Sequence, residues 1–411
     1  MSDLWHKLRK GYGKKLAALH MWNGWIVVAL ALSGLILLNG YWRGVLGEGR
    51  VWLKQAHIYI GLISLLPVLY YLLLAGKHWK QLRDKPWQKF NVLVVLGLLV
   101  GWLLSGVVLW QFHLAGPRAS NTALFIHDAL TWVGLPYIIY HSITRVKWLK
   151  EPGRRAVQTA KSAQPLHPAA PQPVYTRRAF IRGAVGVGLA VTVGPSFLKW
   201  LGRTIGPIGG GQNIDKLIEN NANALVPDPL PQPASSPPIG GGAQGFFRVY
   251  TVTSIPKFNN DNWSFTIDGL VDRPMSWNWE SFLQLKRKVQ VSDFHCVTGW
   301  SVYDNTWEGI PVKQFLELVG VKSGATSAIF HSGDGVYTSG ITLAQLAKDD
   351  AMVAVMHDGK PIPSDLGGPV RLIMPKMYAY KSVKWLTRIE VIEGEHIGYW
   401  EQRGYKNEAW V

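Results

Sequence analysis

Cysteine is almost missing from this chain: Cys296 is the only one in 411 residues. One thiol cannot close an intramolecular disulfide, and it excludes an iron–sulfur cluster or a Cys-x-x-Cys-His haem attachment, each of which needs more thiols. A lone thiolate can act as a nucleophile, or it can hold one position on a metal that something else largely coordinates. Acidic residues are scarce in the first half. Residues 1–245 hold 26 Lys plus Arg against 8 Asp plus Glu, while 246–411 hold 17 against 18, so the formal charge of +17 belongs wholly to the first half. Charge of either sign is nearly absent from four runs there, 16–42, 55–76, 90–117 and 119–144, the last interrupted only by Asp128. Basic residues lying between uncharged runs belong to the loops of a membrane protein rather than to a nucleic-acid surface, so no nucleic-acid partner is expected.

Each run exceeds the roughly 20 residues that carry a helix across about 30 Å of hydrocarbon. Lys and Arg concentrate before the first run, between the second and third, and after the fourth. The expected N-terminal class is therefore an all-α transmembrane four-helix bundle spanning 1–150, with both ends in the cytoplasm. Histidines within such helices are costly and mark function. His20 falls near the cytoplasmic end of the first helix and His57 near the outer end of the second. The fourth carries His127 toward the outside and His141 toward the inside. His127 and His141 are separated by 14 residues, which places them roughly 40° apart around the helix and about 21 Å apart along it. His57 with His127, and His20 with His141, would form two axial pairs at two depths, which is what two b-type haems need. The arrangement resembles the di-haem cytochrome b subunits of the formate dehydrogenase and hydrogenase type. His6, His78 and His113, near helix ends, read as interfacial.

From 151 to 175 the composition turns to Ala, Pro, Gln and Lys, which reads as a linker. Thr176-Arg177-Arg178-Ala179-Phe180 then precedes an apolar run over 183–198. Twin arginines before such a run resemble a twin-arginine export signal; the same residues also obey the positive-inside rule ahead of a fifth membrane helix. Either way, the chain beyond Leu201 lies outside the cytoplasm. With no clean small-residue cleavage site, 176–202 is expected to persist as that fifth helix, and the Gly- and Pro-rich stretch 203–245 to form a tether.

In 246–411, residues 263–271, 289–294, 327–330 and 371–374 read as strands, and 281–288 and 312–319 as helices, an α+β class. Phe294-His295-Cys296-Val297-Thr298-Gly299-Trp300-Ser301, followed by Trp307-Glu308-Gly309-Ile310-Pro311, resembles the molybdenum-binding segment of the sulfite oxidase and periplasmic methionine sulfoxide reductase superfamily. A second segment is similar to that superfamily's motif for the phosphate end of the pterin: His357 to Pro363, Gly367 to Arg371, and Lys381 to Leu386. The resemblance implies a sulfite-oxidase-like molybdopterin domain with Cys296 as protein ligand to molybdenum. It further implies Arg371, Lys381 and Lys384 on the phosphate with Ser382 as a neutral donor, His295 and Trp300 shaping the cleft, and Tyr337 on the substrate side.

One departure bears on substrate. Sulfite oxidases follow the cysteine with a Gly-Asn-Arg type sequence, whereas no arginine occurs here between Arg287 and Arg371. A doubly charged anion would lack a guanidinium, so an S-oxide or N-oxide is expected. The resulting expectation is an enzyme, a molybdopterin-dependent oxidoreductase multi-pass in the bacterial inner membrane. Its cofactors would be molybdenum-molybdopterin and two haem b, and its partners the lipid bilayer, quinone or quinol, a small oxide or sulfur substrate and the twin-arginine export machinery, with the catalytic domain periplasmic. The same wire run backwards would be a dehydrogenase of sulfite or another small sulfur compound. A metal-free, membrane-anchored binding module is the non-enzymatic alternative.

Overall fold

The computed structural model describes residues 11–38, 42, 45–47, 49–144, 177–205, 217–219 and 221–411. The N-terminal region is helical: α1 (Tyr12–Leu38), α2 (Gly49–Ile63), α3 (Leu65–Gln81), α4 (Pro86–Trp110), α5 (Phe112–Thr144) and α6 (Arg177–Ile205). Among the described residues five helical segments are long and apolar enough to cross a membrane, with α2 and α3 forming one of them, and they fit membrane anchoring. The interruption between α2 and α3 has a local cause. Pro67 has no N–H to give and its ring crowds the carbonyl four residues back, and at Ser64 the N–H and hydroxyl both turn to Gly61 O, at 3.2 and 2.5 Å. A second proline rule bends α5. The residue before Pro117 is disfavoured in helical conformation, and Gly116 takes φ 76° there, setting the first turn at an angle to the rest.

Most of each apolar run lies in these helices, but 90–117 passes the end of α4 into the start of α5, and 39–41 of the first run lie outside the described residues. The expected linker 151–175 lies outside the described residues, as does Thr176 of the twin-arginine segment. Arg177 opens α6, which carries Pro195 in its interior.

The chain forms two compact units: Met1–Ala31, Gly61–Gly106 and Phe125–Gly206 in one, and Leu32–Ile60, Val107–Leu124 and Pro207–Val411 in the other. In the first, polar side chains tie helices together: Trp102 donates to Thr131 at 3.2 Å and Tyr137 to Asn91 at 2.7 Å. The second holds the sheet-rich C-terminal domain, with strands β1 (Phe265–Gly269), β2 (Met275–Trp277), β3 (Lys288–His295), β4 (Ser301–Pro311), β5 (Ser327–Ser332), β6 (Thr338–Thr342), β7 (Met352–His357), β8 (Lys360–Pro361), β9 (Arg371–Ile373) and β10 (Leu386–Ile392). One sheet runs β2-β1-β10-β5-β6, with β1 parallel to β10 and its other pairs antiparallel. The other runs β3-β4-β7-β8, with β9 also on β7, all antiparallel. All six residues of β7 are buried, so both its faces are covered.

Short helices are α7 (Trp279–Leu283), α8 (Val312–Val319) and α9 (Leu343–Leu346). In α8, Val312, Phe315 and Val319 lie on one face and are buried, and Gly320 ends the helix at φ 69° with its N–H on Leu316 O at 3.1 Å. The helix expected over 281–288 is instead α7, five residues long; Lys288 already opens β3.

A larger correction concerns the expected tether. Residues 221–245 run across the domain as a strap: Leu225 and Ala243 are core residues, Trp279 Nε1 donates to Pro227 O at 2.8 Å, and Gln244 pairs with Tyr303. The anchor is the buried carboxylate of Glu308, which accepts from Gln232 N at 3.0 Å and Ser235 Oγ at 2.5 Å and pairs with Arg287 at 2.7 Å.

Candidate active site

Cys296 begins the loop between β3 and β4. Its N–H donates to Trp300 O and Gly299 N–H returns to Cys296 O, both at 3.0 Å, closing a tight turn around the sulfur. Gly299 is required twice over: its φ is 91°, and a Cβ there would stand 2.6 Å from Leu109 Cδ2 and 3.3 Å from Ser120 O, on the ends of α4 and α5. Thr298 Oγ1 lies 3.2 Å from the sulfur. The residue is half-buried and touches both hydrophobic clusters of the domain, so it sits on the seam between them. Burial pushes the thiol upward, while the Thr298 hydrogen bonds and the charges of Lys54 and Arg248 pull it back.

Those two cations come from outside the interval in which the expectation found no arginine. The interval Arg287 to Arg371 does lack arginine, but Arg248 comes from the segment before β1 and Lys54 from α2. Lys54 also approaches Tyr405, with Nζ 3.4 Å from the phenol oxygen, and Arg50 lies 4.8 Å over Trp400. Tyr378 is buried between the Cys296 neighbourhood and the first turn of α5. Phe112 and His113 meet its ring edge-on at 5.0 and 5.3 Å, and the cysteine charge adds to burial in raising its phenol.

The second expected segment brings buried nitrogen atoms together. Arg371 is 2% exposed; its guanidinium donates to Leu366 O at 2.6 Å and Ser382 O at 3.2 Å and lies 4.9 Å over Phe294 and 5.8 Å over Trp307. Among the described residues its Nε has no partner, nor do Trp300 Nε1, Trp307 Nε1 and His357 Nδ1. These four belong together: the Trp307 and His357 rings are 4.3 Å apart, and Phe247 touches Trp300, Trp307 and His357. Lys384 donates to Tyr250 O at 3.0 Å and Asp365 O at 2.9 Å; burial, with Arg371 nearby, lowers it to about 7. Among the described residues neither Arg371 nor Lys384 forms an ion pair. A buried guanidinium and a half-buried ammonium with no ion pair among the described residues, and buried nitrogens without partners, are expensive, and an anionic, acceptor-rich ligand relieves both costs. The donor set therefore fits a phosphate-bearing pterin.

Other expected residues are engaged elsewhere. Lys381 is fully buried, and its ammonium group donates to Gly340 O at 2.9 Å, Asn407 Oδ1 at 2.7 Å and Glu401. With three donors on three acceptors it has none left for a phosphate. Ser382 contributes through its carbonyl to Arg371, while its hydroxyl accepts from Met374 N at 3.0 Å. Tyr337 donates its phenol to Tyr380 O at 2.5 Å, and burial holds its pKa well above the usual phenol range. His295 Nδ1 lies 2.8 Å from Ser301 Oγ, and burial keeps the ring neutral. Sequence reasoning missed Lys54, Arg248, Phe247 and Tyr378, which reach this site from distant segments.

Among the described residues no group of three or more His, Cys, Asp or Glu side chains converges as a metal site, so a metal at Cys296 would take its remaining ligands from a cofactor. In the helices, the histidine rings share a pattern at one nitrogen. His57 Nδ1 is 2.8 Å from Ser33 Oγ, His127 Nδ1 is 2.9 Å from Ser105 Oγ, and His141 Nδ1 is 3.0 Å from Asn91 Oδ1. His20 and His141 stand with ring centres 6.1 Å apart.

A lone cysteine near buried cationic nitrogens suits a cofactor site, and comparison with known proteins adds its class. Residues 252–400 match the model of the oxidoreductase molybdopterin binding domain. The uncharacterized oxidoreductase YuiH of Bacillus subtilis is 34% identical over 160 residues, covering 39% of this chain and 80% of that protein. The chain belongs to the family that carries this molybdopterin-binding domain, and it is a molybdopterin-dependent oxidoreductase. The putative protein-methionine-sulfoxide reductase subunit YedZ1 of Azospira oryzae is 33% identical over 160 residues, covering 39% of this chain and 60% of that protein. The protein-methionine-sulfoxide reductase catalytic subunit MsrP of Campylobacter jejuni is 25% identical, covering 36% of this chain and 56% of that protein. The chain thus spans somewhat over half the length of each methionine-sulfoxide reductase relative. Among solved structures, the sulfane dehydrogenase SoxCD of Paracoccus pantotrophus is 18% identical, with 35% of this chain and 41% of that one aligned at a TM-score of 0.32, a likeness too partial to carry argument.

Proposed function

We propose that the chain couples the quinone pool, through two b haems in its helical region, to a molybdenum-molybdopterin site at Cys296, and that it reduces an S-oxide or N-oxide. In this reading 1–150 is the four-helix cytochrome b unit, α6 a fifth membrane helix, and 246–411 the catalytic domain, exported by the twin-arginine machinery and held on the periplasmic side of the inner membrane. His20, His57, His127 and His141 would be the iron ligands. The observation that carries the reading is the 6.1 Å between the His20 and His141 ring centres. A metal between two imidazoles, with bonds of about 2 Å and about 1.1 Å from each nitrogen to its ring centre, holds the rings roughly 6 Å apart. His57, His127 and His141 each have Nδ1 within hydrogen-bond reach of a side-chain oxygen, which would leave Nε2 for iron, as second partners do for metal-bound histidine.

At the catalytic end the molybdenum-pterin group, when bound, supplies two-electron oxygen-atom chemistry. The chain's part is to hold and shape. Cys296 would give the thiolate, Arg371 and Lys384 the phosphate contacts, and the Trp300 and Trp307 indoles and His357 Nδ1 the remaining polar contacts. The names of the methionine-sulfoxide reductase relatives support an S-oxide substrate. Arg248 and Lys54 favour the second reading, a dehydrogenase of sulfite or a similar anion, because they give the cysteine neighbourhood the positive charge such a substrate needs.

The test is metal analysis with reduced and oxidised visible spectra, followed by reoxidation of the quinol-reduced haems with a panel of S-oxides and N-oxides. Both metals and oxide-dependent reoxidation are expected, with Cys296→Ser lowering the rate by about a thousandfold or more, in the range of lost catalytic groups, while leaving the haem spectrum intact. Full molybdenum and turnover in that variant, or an unchanged spectrum after replacement of the four histidines, overturns the proposal. Haem reduction by sulfite without reoxidation by any oxide selects the second reading.

A further inference from the structure

An imidazole has two nitrogens. When iron takes one, the partner of the other decides how firmly the ring is held and how much electron density it passes to the metal. At His141 that partner is Asn91, which reaches from the first turns of α4. Its Oδ1 lies 3.0 Å from His141 Nδ1 and also accepts the Tyr137 hydroxyl at 2.7 Å. A carbonyl oxygen has no proton to give, so the proton in the histidine contact sits on Nδ1 and the lone pair sits on Nε2, where a metal would bind. Tyr137 acts a second time, because its ring lies nearly parallel to that of His141 at 6.5 Å and 24°. One turn of helix α5 and one side chain of α4 thus fix the tautomer, the plane and the rotation of a single imidazole.

An oxygen stands in the same place at His127. Ser105 donates its hydroxyl to Gly101 O at 2.7 Å, and its oxygen lies 2.9 Å from His127 Nδ1. Two histidines on the same helix thus each have Nδ1 beside a side-chain oxygen, an amide carbonyl at His141 and a hydroxyl at His127, and the carbonyl alone fixes the tautomer.

We propose that Asn91, with Tyr137 bound to the same oxygen, is a positioning residue that sets the reduction potential of the haem held by His141. The inference rests on the two-haem reading and adds to it which side chain tunes which haem. The oxidised iron carries one more positive charge than the reduced, and an imidazole whose Nδ1–H is drawn toward a stronger acceptor shares more density with it. A stronger acceptor therefore favours the oxidised form and lowers the potential.

The experiment is a spectroscopic redox titration of the full-length, haem-loaded protein. Asn91→Leu removes the acceptor, and one of two haem potentials should rise by an amount equal to about a tenfold change in the reduced-to-oxidised ratio, about 59 mV for one electron. Asn91→Asp places a carboxylate there and should move the same haem the opposite way. Tyr137→Phe frees the Asn91 oxygen from sharing and should give a smaller fall with haem content unchanged. A role confined to packing would shift both Asn91 variants in the same direction or lower haem content without moving the remaining potential, and either result overturns the proposal. If Asn91→Leu fails to assemble, the opposed shifts expected of Asn91→Asp and of an Asn91→Ser variant with a hydroxyl acceptor decide the matter. Haem present with unmoved potentials defeats this inference alone; a wild-type protein without haem defeats the two-haem reading beneath it.

Discussion

The apolar helices and the sheet-rich domain bury polar groups by different rules. In the helices, half-buried histidines meet uncharged side-chain oxygens, His57 at Ser33, His127 at Ser105 and His141 at Asn91, and the side chain of Asp128 is buried. In the domain the buried groups include full charges, of two kinds. Arg287 with Glu308 and Lys381 with Glu401 are paired and hold the fold together; Arg371 and Lys384 have only carbonyl oxygens as hydrogen-bond partners among the described residues. A neutral imidazole with one nitrogen anchored suits a metal that needs no charge from the protein. An unpaired buried cation suits an anionic ligand. The difference separates residues that build the domain from residues that wait for something, which residue type alone does not do.

The largest expected effect tests the paired class. Glu308→Ala would leave Arg287 buried without its carboxylate and release the strap from Gln232 and Ser235. Breaking one side of a buried pair costs about 3–5 kcal/mol, so the urea midpoint of the domain should fall accordingly and cleavage within 221–245 by added protease should become fast. Unchanged stability would mean that paired and unpaired charges here do not differ in kind.

His357 comes next, as the domain's counterpart to the helix histidines. Its Nε2 meets Asn305 Oδ1 at 2.9 Å, its Nδ1 has no partner among the described residues, and burial lowers its pKa to about 4. The unfolded ring takes up its proton near the ordinary 6.5 and the folded ring only near 4, so between these values the unfolded state binds more protons. The stability is fully present above pH 6.5 and is lost as pH falls toward 4, by about 3 kcal/mol at about 1.4 kcal/mol per pH unit. Unfolding curves at pH 7, 5.5 and 4 should show it, and His357→Gln should remove that part of the slope. An equal slope in the variant would show that the ring titrates as if exposed.

Much of this was legible from residues alone, and the exceptions have physical causes. Cys296 stands out because it is unique, and its loop ends on Gly299, whose positive φ the turn requires. Helix α8 matches its expected bounds because Val312, Phe315 and Val319 repeat at helical spacing up to a glycine. Lys381 and Lys384, however, share a residue type and lie three positions apart. Only the surroundings, Glu401 for one and Arg371 for the other, separate a structural lysine from one facing an anion pocket. Glycine and proline in 221–245 announce a lack of regular structure, which a tether and a strap have in common; the deciding group, Glu308, lies more than sixty residues away. Lys54 and Arg248 escaped for the same reason, since charge reaching a site from other segments leaves no local pattern.

The smallest expected effect tests the unpaired class. Arg371→Met removes a buried charge that no described acid offsets, so the fold loses two hydrogen bonds to carbonyls while the pocket loses its guanidinium. Hydrogen bonds from charged groups contribute about 1.5–3 kcal/mol, so molybdenum retained after extended dialysis should correspond to binding weakened by about ten- to a hundredfold. The unfolding midpoint should move less than in Glu308→Ala. Lys384 adds a pH signature of definite sign. Lowered to about 7 without an anion beside it, it loses its charge as pH rises through neutrality. An anion that needs the charged form must then bring a proton with it, so retention should weaken above pH 7, by at most about tenfold per unit, and stay level below. Lys384→Met should bind weakly at every pH and show no such slope. If it kept the slope, the proton would belong to another group, and the two unpaired cations would not act on the same ligand.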